Sequence, residues 1–327
     1  MKALVYTNTE ELIYREEPEP SAGAGEVLIR VEAAGICGGD MHAYHGHDSR
    51  RVPPLILGHE VVGVVASGPM TGKRMLIHPF ITCGHCLYCR TKRSNLCENR
   101  KLVGMNLAGA FADLLVIPER NLLPVPDGLH PADAVLSEPL AAGVHAFELA
   151  ARAWPCPLED AKVLVLGAGA VGLTSALLLR HRGIEVLLGE TNPKRRATAA
   201  AAGIPVFDPF ATEAAAASYD IVFDAVGAGA TRCAALRAVA PGGVIIHTGL
   251  QDSEGAIDMR KVTLSEIAVI GTYAYTLDNI ASALAAVQSG ALGDMAWVDH
   301  RPLAEGARAF ADLAAGRSPA AKIVLQP

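Results

Sequence analysis

The sequence predicts an α/β fold in which a doubly wound parallel sheet is joined to a β-rich domain built from both ends of the chain. Three observations support this. Residues 1–140 are rich in Gly and Pro and contain short β-type runs. Residues 141–276 alternate apolar runs with alanine-rich helical segments, and the tail ends in one more apolar strand. Such alternation is typical of a parallel sheet, whereas successive short strands predict a barrel or sandwich.

Each part of the chain contributes identifiable elements. In the first part, strands are predicted at Met1–Tyr6, Glu26–Val31 and Val61–Ala66. In the second, strands are predicted at Lys162–Leu166, Val186–Leu188, Ile221–Phe223 and Gly243–His247, with helices at Leu173–Leu179 and after Pro193. In the tail, helices are predicted around Ile280–Gln288 and Gly306–Ala314, before a strand at Lys322–Leu325. We expect the tail to fold back onto the first part, so that residues 1–140 and 277–327 form one domain.

Composition limits the classes of protein to be considered. A chain of 327 residues is too long for one ordinary core and predicts two domains. The net charge is −6 and both signs are interleaved, so neither a nucleic-acid stripe nor a polybasic membrane patch is predicted. The sequence contains no long uncharged apolar run and does not start like a signal peptide. We therefore expect a cytoplasmic protein with no membrane or nucleic-acid partner.

Four cysteines predict a metal-binding lobe at residues 80–100. Cys83, Cys86, Cys89 and Cys97 have a spacing that can close four thiolates around one tetrahedral zinc. Such a closed site has no open coordination position, so it should order a loop rather than catalyse; an iron–sulfur cluster is the alternative occupant. The odd total of seven cysteines favours reduced thiols, with Cys156 and Cys233 expected to be buried.

A glycine-rich turn predicts a dinucleotide site. Gly167-Ala-Gly169-Ala-Val-Gly172 follows a predicted strand and opens a helix, the context in which this motif binds a pyrophosphate at a helix N-terminus. Glu190, about twenty residues further on, can accept hydrogen bonds from ribose hydroxyls and would repel a 2′-phosphate, which favours NAD over NADP. The cations Lys194-Arg195-Arg196 could instead hold that phosphate or form a solvated helix start. The predicted cofactor site also includes Ala170, Val171, Arg195, Val226 and Thr248.

A second set of candidate metal ligands lies on both sides of the lobe: Cys37, His59, Glu60 and Glu138. Taken singly, Cys37 would more often be a small buried residue, and Glu138 a carboxylate at a helix N-terminus before Pro139. Their presence together with the lobe and the glycine-rich turn favours a metal site.

These motifs resemble those of the zinc-dependent medium-chain alcohol dehydrogenases over essentially the whole chain. The similarity rests on Gly35-Ile-Cys37-Gly-Gly-Asp40, on Gly58-His59-Glu60, on the four-cysteine lobe and on Gly167 to Gly172. Ser137-Glu138-Pro139-Leu140 and Met41–His47 are most similar to the polyol and threonine dehydrogenase branch. The resemblance implies a Rossmann NAD-binding domain, a GroES-like catalytic domain, one catalytic and one structural zinc, and a homodimer or homotetramer.

The resemblance also implies a role for each site residue. Cys37, His59 and Glu138 would bind the catalytic zinc, Glu60 would approach it during ligand exchange, and Asp40 would orient His59. The implied reaction is hydride transfer to NAD from a secondary alcohol (a polyol, a sugar alcohol or its phosphate), giving a ketone. Threonine or a simple secondary alcohol is the alternative substrate.

Position 39 departs from the family pattern. Family members carry Ser or Thr there, which passes the alcohol proton toward a histidine that matches His42, whereas this chain has Gly39. One hypothesis is that a water fills the space, and the other is that the chain is a weak or substituted dehydrogenase; Gly39→Ser should raise turnover several-fold under either, but only the water hypothesis predicts clear activity of the parent. A different class of function is a non-catalytic dinucleotide-binding sensor, for which Gly39 is the best support. A zinc-free quinone-type reductase would leave Gly58-His59-Glu60 and the four cysteines unexplained.

The substrate pocket is expected to include the Tyr44–Arg51 loop and residues Tyr273–Thr276. His45, His47, Arg50 and Arg51 could contact substrate hydroxyls or a phosphate, or could form a solvated polar loop. The sequence alone leaves these two interpretations open.

Overall fold

A computed structural model describes residues 1–68 and 70–327 of the chain. The strands are β1 Lys2–Asn8, β2 Glu11–Glu16, β3 Glu26–Gly35, β4 Leu55–Ile56, β5 Glu60–Val65, β6 Arg74–Ile77, β7 Phe80–Ile81, β8 Lys101–Leu102, β9 Leu114–Pro118, β10 Leu122–Pro124, β11 Lys162–Leu166, β12 Glu185–Gly189, β13 Val206–Phe207, β14 Tyr219–Asp224, β15 Val239–His247, β16 Ala268–Gly271, β17 Val298–Pro302 and β18 Lys322–Gln326. The helices are α1 Gly38–Tyr44, α2 Leu87–Arg90, α3 Pro131–Ala134, α4 Ser137–Ala153, α5 Ala170–His181, α6 Pro193–Ala201, α7 Gly229–Ala238, α8 Met259–Leu264, α9 Leu277–Gln288 and α10 Gly306–Ala314.

The middle of the chain forms a six-stranded parallel sheet in the order β13-β12-β11-β14-β15-β16. Its central strands are almost wholly buried on both faces, because helices cover the two sides, and this explains their continuous apolar sequences. The strand order reverses between β11 and β14, which places the carboxyl ends of β11, β12, β14 and β15 side by side. This is the predicted Rossmann arrangement, and its ligand crevice lies at that edge.

The two ends of the chain form the second, β-rich domain. Its main sheet runs β10-β6-β5-β3-β18-β17, with β9 also paired to β3, and a smaller sheet runs β2-β1-β4. The last strand, β18, pairs antiparallel with β3, with Val324 opposite Gly35. The predicted fold class, a parallel sheet plus a discontinuous β domain, is therefore confirmed. The boundaries at 140 and 277 stay a prediction.

Helix α4 lies against α5 and α9 in the largest hydrophobic cluster of the protein. Gly143 permits close packing of α4 on α5, because a Cβ there would collide with the side chain of Ser175. Leu140 and Phe147 are buried on the same helix. This packing fixes the first turn of α4, which carries Glu138, inside the protein.

Two details differ from the sequence predictions. Helix α5 begins at Ala170 rather than Leu173, because Gly169 is its N-cap, so Gly172 lies within the first turn. Cys156 and Cys233 are exposed rather than buried: Cys156 lies in a turn after α4, and α7 buries Arg232, Ala235 and Leu236 but not Cys233. Within the described ranges, every helix is too short or too polar to cross a lipid bilayer.

Candidate metal and dinucleotide sites

Cys37, His59 and Glu60 come together at one end of the β-rich domain. Cys37 is the N-cap of α1, and His59 and Glu60 lie at the start of β5. One ligand atom from each of the three lies within 4.8 Å of the others. The backbone turn before His59 requires glycine at position 58. The φ of Gly58 is +93°, and a Cβ there would lie 2.7 Å from the ring of Phe111. Cys37 and the adjacent pair His59-Glu60, from two separate segments of the chain, thus form one candidate metal centre.

Asp40 lies directly behind this group and is fully buried. Its Oδ2 accepts a hydrogen bond from the Cys37 amide at 3.0 Å, and its Oδ1 lies 3.5 Å from His59 Nδ1. Burial opposes ionisation of Asp40, but the nearby His59 and Arg51 outweigh it and hold the pKa of Asp40 below its usual range. An ionised Asp40 beside Nδ1 can fix the His59 ring so that Nε2 faces the opposite side.

Glu138 lies on that opposite side. Its Oε1 is 4.0 Å from His59 Nε2 and accepts a hydrogen bond from the Tyr275 hydroxyl. Burial, reinforced by the negative charge of Glu60, raises the pKa of Glu138 to about 7. Burial and the charge of Glu138 also raise the pKa of Tyr275, so its phenol stays protonated and remains a donor. Two buried carboxyl groups, those of Glu60 and Glu138, thus lie at one site, where buried negative charge needs positive charge nearby. Protein groups supply only part of that positive charge.

Lys322 supplies one positive charge to the centre. Its ammonium, on β18, donates to Glu60 and to the Ile36 carbonyl at 2.8 Å, and both charged side chains are almost completely buried. The other Glu60 oxygen and His59 Nδ1 lack hydrogen-bond partners among the described residues. A metal at this centre fits the donor set, because a thiolate, an imidazole and carboxylates are the groups that zinc prefers. Cys37, His59 and Glu138 would hold the metal, and Glu60 would approach it during ligand exchange.

The four cysteines of the lobe also converge, with all four sulfur atoms within 4.8 Å of one another. The Cys83 sulfur lies 3.5 Å from that of Cys97 and 4.0 Å from that of Cys89. A tetrahedron of Zn–S bonds of about 2.3 Å has edges of roughly 3.8 Å, so these distances fit a zinc ion. Backbone N–H groups of His85 and Cys86 lower the pKa of Cys83 to about 6, which favours the thiolate that a metal requires.

Apolar packing does not hold this lobe together. Strands β7 and β8 close its base, but α2 buries none of its residues. The fold of the lobe should therefore depend on its metal.

Cys89→Ser is expected to release this zinc and loosen the lobe. Zinc content should fall by one ion per chain, and trypsin should cleave after Arg90, Lys92 or Arg93 roughly tenfold faster, because opening of the lobe becomes frequent. Metal analysis and timed proteolysis measure both effects. Cys156→Ser, outside either cluster, is the matched control; equal behaviour of the two variants would show that the lobe holds no metal.

The glycine-rich turn lies at the carboxyl end of β11. Gly167 has a φ of +99°, and a Cβ on Gly172 would collide with the Gly167 carbonyl, so both positions require glycine. A Cβ on Gly169 would meet nothing within 4 Å, which leaves open space in front of this backbone. Ala170 and Val171 begin α5, whose free amides point to the same place. The turn fits the pyrophosphate of a dinucleotide.

The other predicted cofactor residues follow the carboxyl ends of the neighbouring strands. Glu190 follows β12, Thr248 follows β15, and Val226 comes two residues after β14. Glu190 is buried and accepts hydrogen bonds from the Ala168 amide at 2.9 Å and from Arg195 at 3.2 Å. Arg195 therefore covers the carboxylate, and the structure brings the predicted acid and one of the competing cations into a single ion pair.

A cavity of about 220 Å³ lies near the metal centre. Its lining residues are Arg50, Phe80, Glu98, Arg100, Leu102, Met105, Asn106 and Tyr273. The Phe80 ring packs against Tyr273 and Tyr275, with centroids 6.1 and 5.9 Å apart, and Tyr275 contacts Glu138. The aromatic group thus lies between Glu138 of the metal centre and this partly polar cavity.

The proposed proton-relay residue, His42, lies half-buried on α1. Burial and the neighbouring His47 lower its pKa, so the ring is neutral and can accept a proton. Of the loop cations, His45 pairs with Glu10 at 3.1 Å and Arg50 with Asp48, whereas Arg51 is buried.

Sequence reasoning missed two residues that touch the centre. Lys322 was assigned only to a strand, and Tyr275 only to the pocket. A lysine at the start of an otherwise apolar buried strand was the available signal for Lys322, because such a charge needs a partner.

Comparison with known proteins agrees with these sites. The profile of the alcohol dehydrogenase GroES-like domain matches residues 23–127, and that of the zinc-binding dehydrogenases matches residues 170–289. The chain is 30% identical over 316 residues to L-galactonate-5-dehydrogenase of Escherichia coli K12, covering 92% of this chain and 91% of that one. It is 32% identical to an L-threonine 3-dehydrogenase of Salmonella gallinarum over 293 residues, 84% of each chain.

Solved structures show the same fold. The acetophenone reductase of Geotrichum candidum in complex with NAD is 26% identical, with a TM-score of 0.89 over 100% of this chain and 97% of that one. Another similar structure holds NADP. The relatives are dehydrogenases of small-molecule alcohols, and the chain is an oxidoreductase that belongs to the zinc-dependent medium-chain alcohol dehydrogenase family, near its polyol and threonine dehydrogenase branch.

Proposed function

We propose that the protein oxidises a secondary alcohol of a polyol or sugar acid to a ketone, with NAD⁺ as hydride acceptor and two zinc ions per chain, one catalytic and one structural. The observation that carries this proposal is the convergence of Cys37, His59 and Glu60 within 4.8 Å, beside Glu138 and Tyr275. A resident zinc would lower the pKa of a bound alcohol as it lowers that of bound water, from 15.7 to about 7.

The side chains of the protein prepare the reaction in complementary ways. Asp40 orients His59, Tyr275 holds Glu138, and Lys322 pairs with Glu60 inside the protein. Phe80 and Tyr275 are buried and pack beside Glu138, which limits the access of water to this side of the centre. The open backbone at Gly169 and the start of α5 bind the pyrophosphate and so position the nicotinamide. The reaction releases one proton, which His42 can accept near the surface.

The proposal is tested by the formation of reduced cofactor from a panel of substrates. The panel contains galactonate, galactitol, polyol phosphates, threonine and simple secondary alcohols, each with NAD⁺ and with NADP⁺. We expect the polyol or sugar acid to be oxidised preferentially with NAD⁺. Preference for threonine would favour the second candidate, suggested by the similarity to threonine 3-dehydrogenase. No turnover of any compound would refute the proposed function.

Glu190→Gln is expected to relax cofactor choice toward NADP⁺. The amide removes a negative charge near the adenosine 2′-position and still accepts a hydrogen bond from Ala168, so kcat/KM for NADP⁺ relative to NAD⁺ should rise about tenfold. Steady-state kinetics with both cofactors measure the ratio. Glu185→Gln, at the exposed opposite end of β12, is the control. An unchanged ratio would mean that Glu190 does not select the cofactor.

A further inference from the structure

A buried arginine occupies the space beside Gly39, where family members carry a hydroxyl side chain. The three heavy atoms nearest to a Cβ placed on Gly39 all belong to the Arg51 guanidinium, with Nη2 at 3.4 Å and Nη1 at 3.8 Å. Arg51 is only 5% exposed. A cation therefore borders the space that the sequence alone suggested a water would fill.

The protein fixes this guanidinium but leaves part of it unused. Its Nε donates to the Gly104 carbonyl at 3.1 Å, and its Nη1 donates to Asp48 Oδ2 at 2.5 Å. In the described part of the chain, Nη2 has no hydrogen-bond acceptor. Nη2 is not sealed from solvent, so this rigidly held N–H group can donate to a ligand.

Arg51 connects the metal centre and the cavity. On one side is Gly39, whose amide donates to the Cys37 sulfur at 3.5 Å. On the other side is Gly104, which is followed in the chain by Met105 and Asn106 of the cavity wall. The guanidinium thus lies between Gly39 of the metal centre and the segment that forms this wall of the cavity.

The local charge balance favours an anionic substrate. Asp48 accepts hydrogen bonds from both Arg50 and Arg51, so two cations share one hydrogen-bonded carboxylate, and the other acid near Arg51 is the buried Asp40, which also faces His59. Arg100 and one acid, Glu98, also line the cavity. A guanidinium is permanently charged and only donates, so Arg51 cannot accept a proton in place of the missing hydroxyl. Its planar group of N–H donors suits a carboxylate.

We propose that Arg51 determines substrate specificity: its Nη2 binds the carboxylate of a hydroxy acid while the secondary alcohol of that acid is oxidised. This proposal rests on the proposed function. It names the substrate class as hydroxy acids rather than neutral polyols.

The direct test is calorimetric titration of the zinc-replete protein, saturated with NADH, with two acids and two neutral compounds. The probes are galactonate and 3-hydroxybutyrate against galactitol and 2,3-butanediol. The native protein should bind the acids at least about tenfold more tightly, and Arg51→Gln should abolish this difference. Arg51→Lys keeps the positive charge but lacks the planar group of N–H donors, so it should retain part of the difference in affinity. Arg74→Gln, which removes an exposed arginine that also pairs with a carboxylate, is the control and should change nothing.

The outcomes separate this proposal from the proposed function. If none of the compounds is oxidised but the preference for acids is present and is lost in Arg51→Gln, the function fails and the role of Arg51 stands. Equal binding of acids and neutral compounds by the native protein overturns the role of Arg51, as does binding of none of the four. A loss of NADH affinity in Arg51→Gln as large as the loss of acid affinity also overturns it, because the residue would then serve the cofactor.

Discussion

Cys37→Ala is expected to lower the rate of NADH formation at least about a thousandfold and to remove one zinc ion per chain. The thiolate is the only soft donor of the candidate catalytic centre, which otherwise consists of His59 and the two carboxylates. Without it, the remaining donors bind zinc weakly and hold the substrate in the wrong place. Metal analysis and initial rates at saturating NAD⁺ measure the two effects.

The matched control for this experiment is Cys233→Ala. Cys233 is an exposed thiol on α7, outside both cysteine-containing clusters, so its removal changes the same atoms without touching a site. Retention of full zinc content and of more than about a tenth of the activity in Cys37→Ala would contradict the assignment of the centre.

Lys322→Met is expected to destabilise the protein by about 3–5 kcal/mol, because it leaves the Glu60 carboxylate buried without its partner. Lys322 and Glu60 have side chains that are 1% and 0% exposed, so solvent cannot replace the ion pair. Adding Glu60→Gln should recover part of the loss, since the double variant no longer buries a charge. Urea unfolding of the zinc-replete proteins measures all three free energies.

Arg74→Met provides the comparison, because it removes an ion pair of the same β domain in which both side chains are solvent-accessible. Exposed pairs contribute about 0–1 kcal/mol, so this variant should unfold nearly like the parent. If Lys322→Met lost no more stability than Arg74→Met, the buried pair would not be a structural element of the centre.

The sequence predicted those parts of the molecule that depend on local spacing. The four cysteines lie within fifteen residues, and the glycine-rich turn lies within six, so their geometry follows from short-range backbone conformation. The strands β11, β12, β14 and β15 each contain a short apolar run, because a parallel sheet is buried on both faces. The start of α5 was misplaced, since the capping role of Gly169 is a matter of backbone angles that residue identity does not reveal.

Contacts between distant segments could not be predicted in the same way. Lys322 meets Glu60 across 262 residues and Tyr275 meets Glu138 across 137. Arg51 is close to Gly39 in sequence, but the irregular loop between α1 and β4 has no periodicity that would show which of its cations turns inward. The position of the Arg51 guanidinium depends on its partners, Asp48 and the Gly104 carbonyl, which only the folded chain brings together.

The most direct test of the central claim is the zinc dependence of NADH formation from a polyol or sugar acid. Initial rates are measured with the zinc-replete protein, after removal of its metal by a chelator, and after Zn²⁺ is restored. We predict activity in the first state, its loss in the second and its recovery in the third. Activity that survives verified loss of both zinc ions, or the absence of NADH formation from every secondary alcohol tested, would contradict the account.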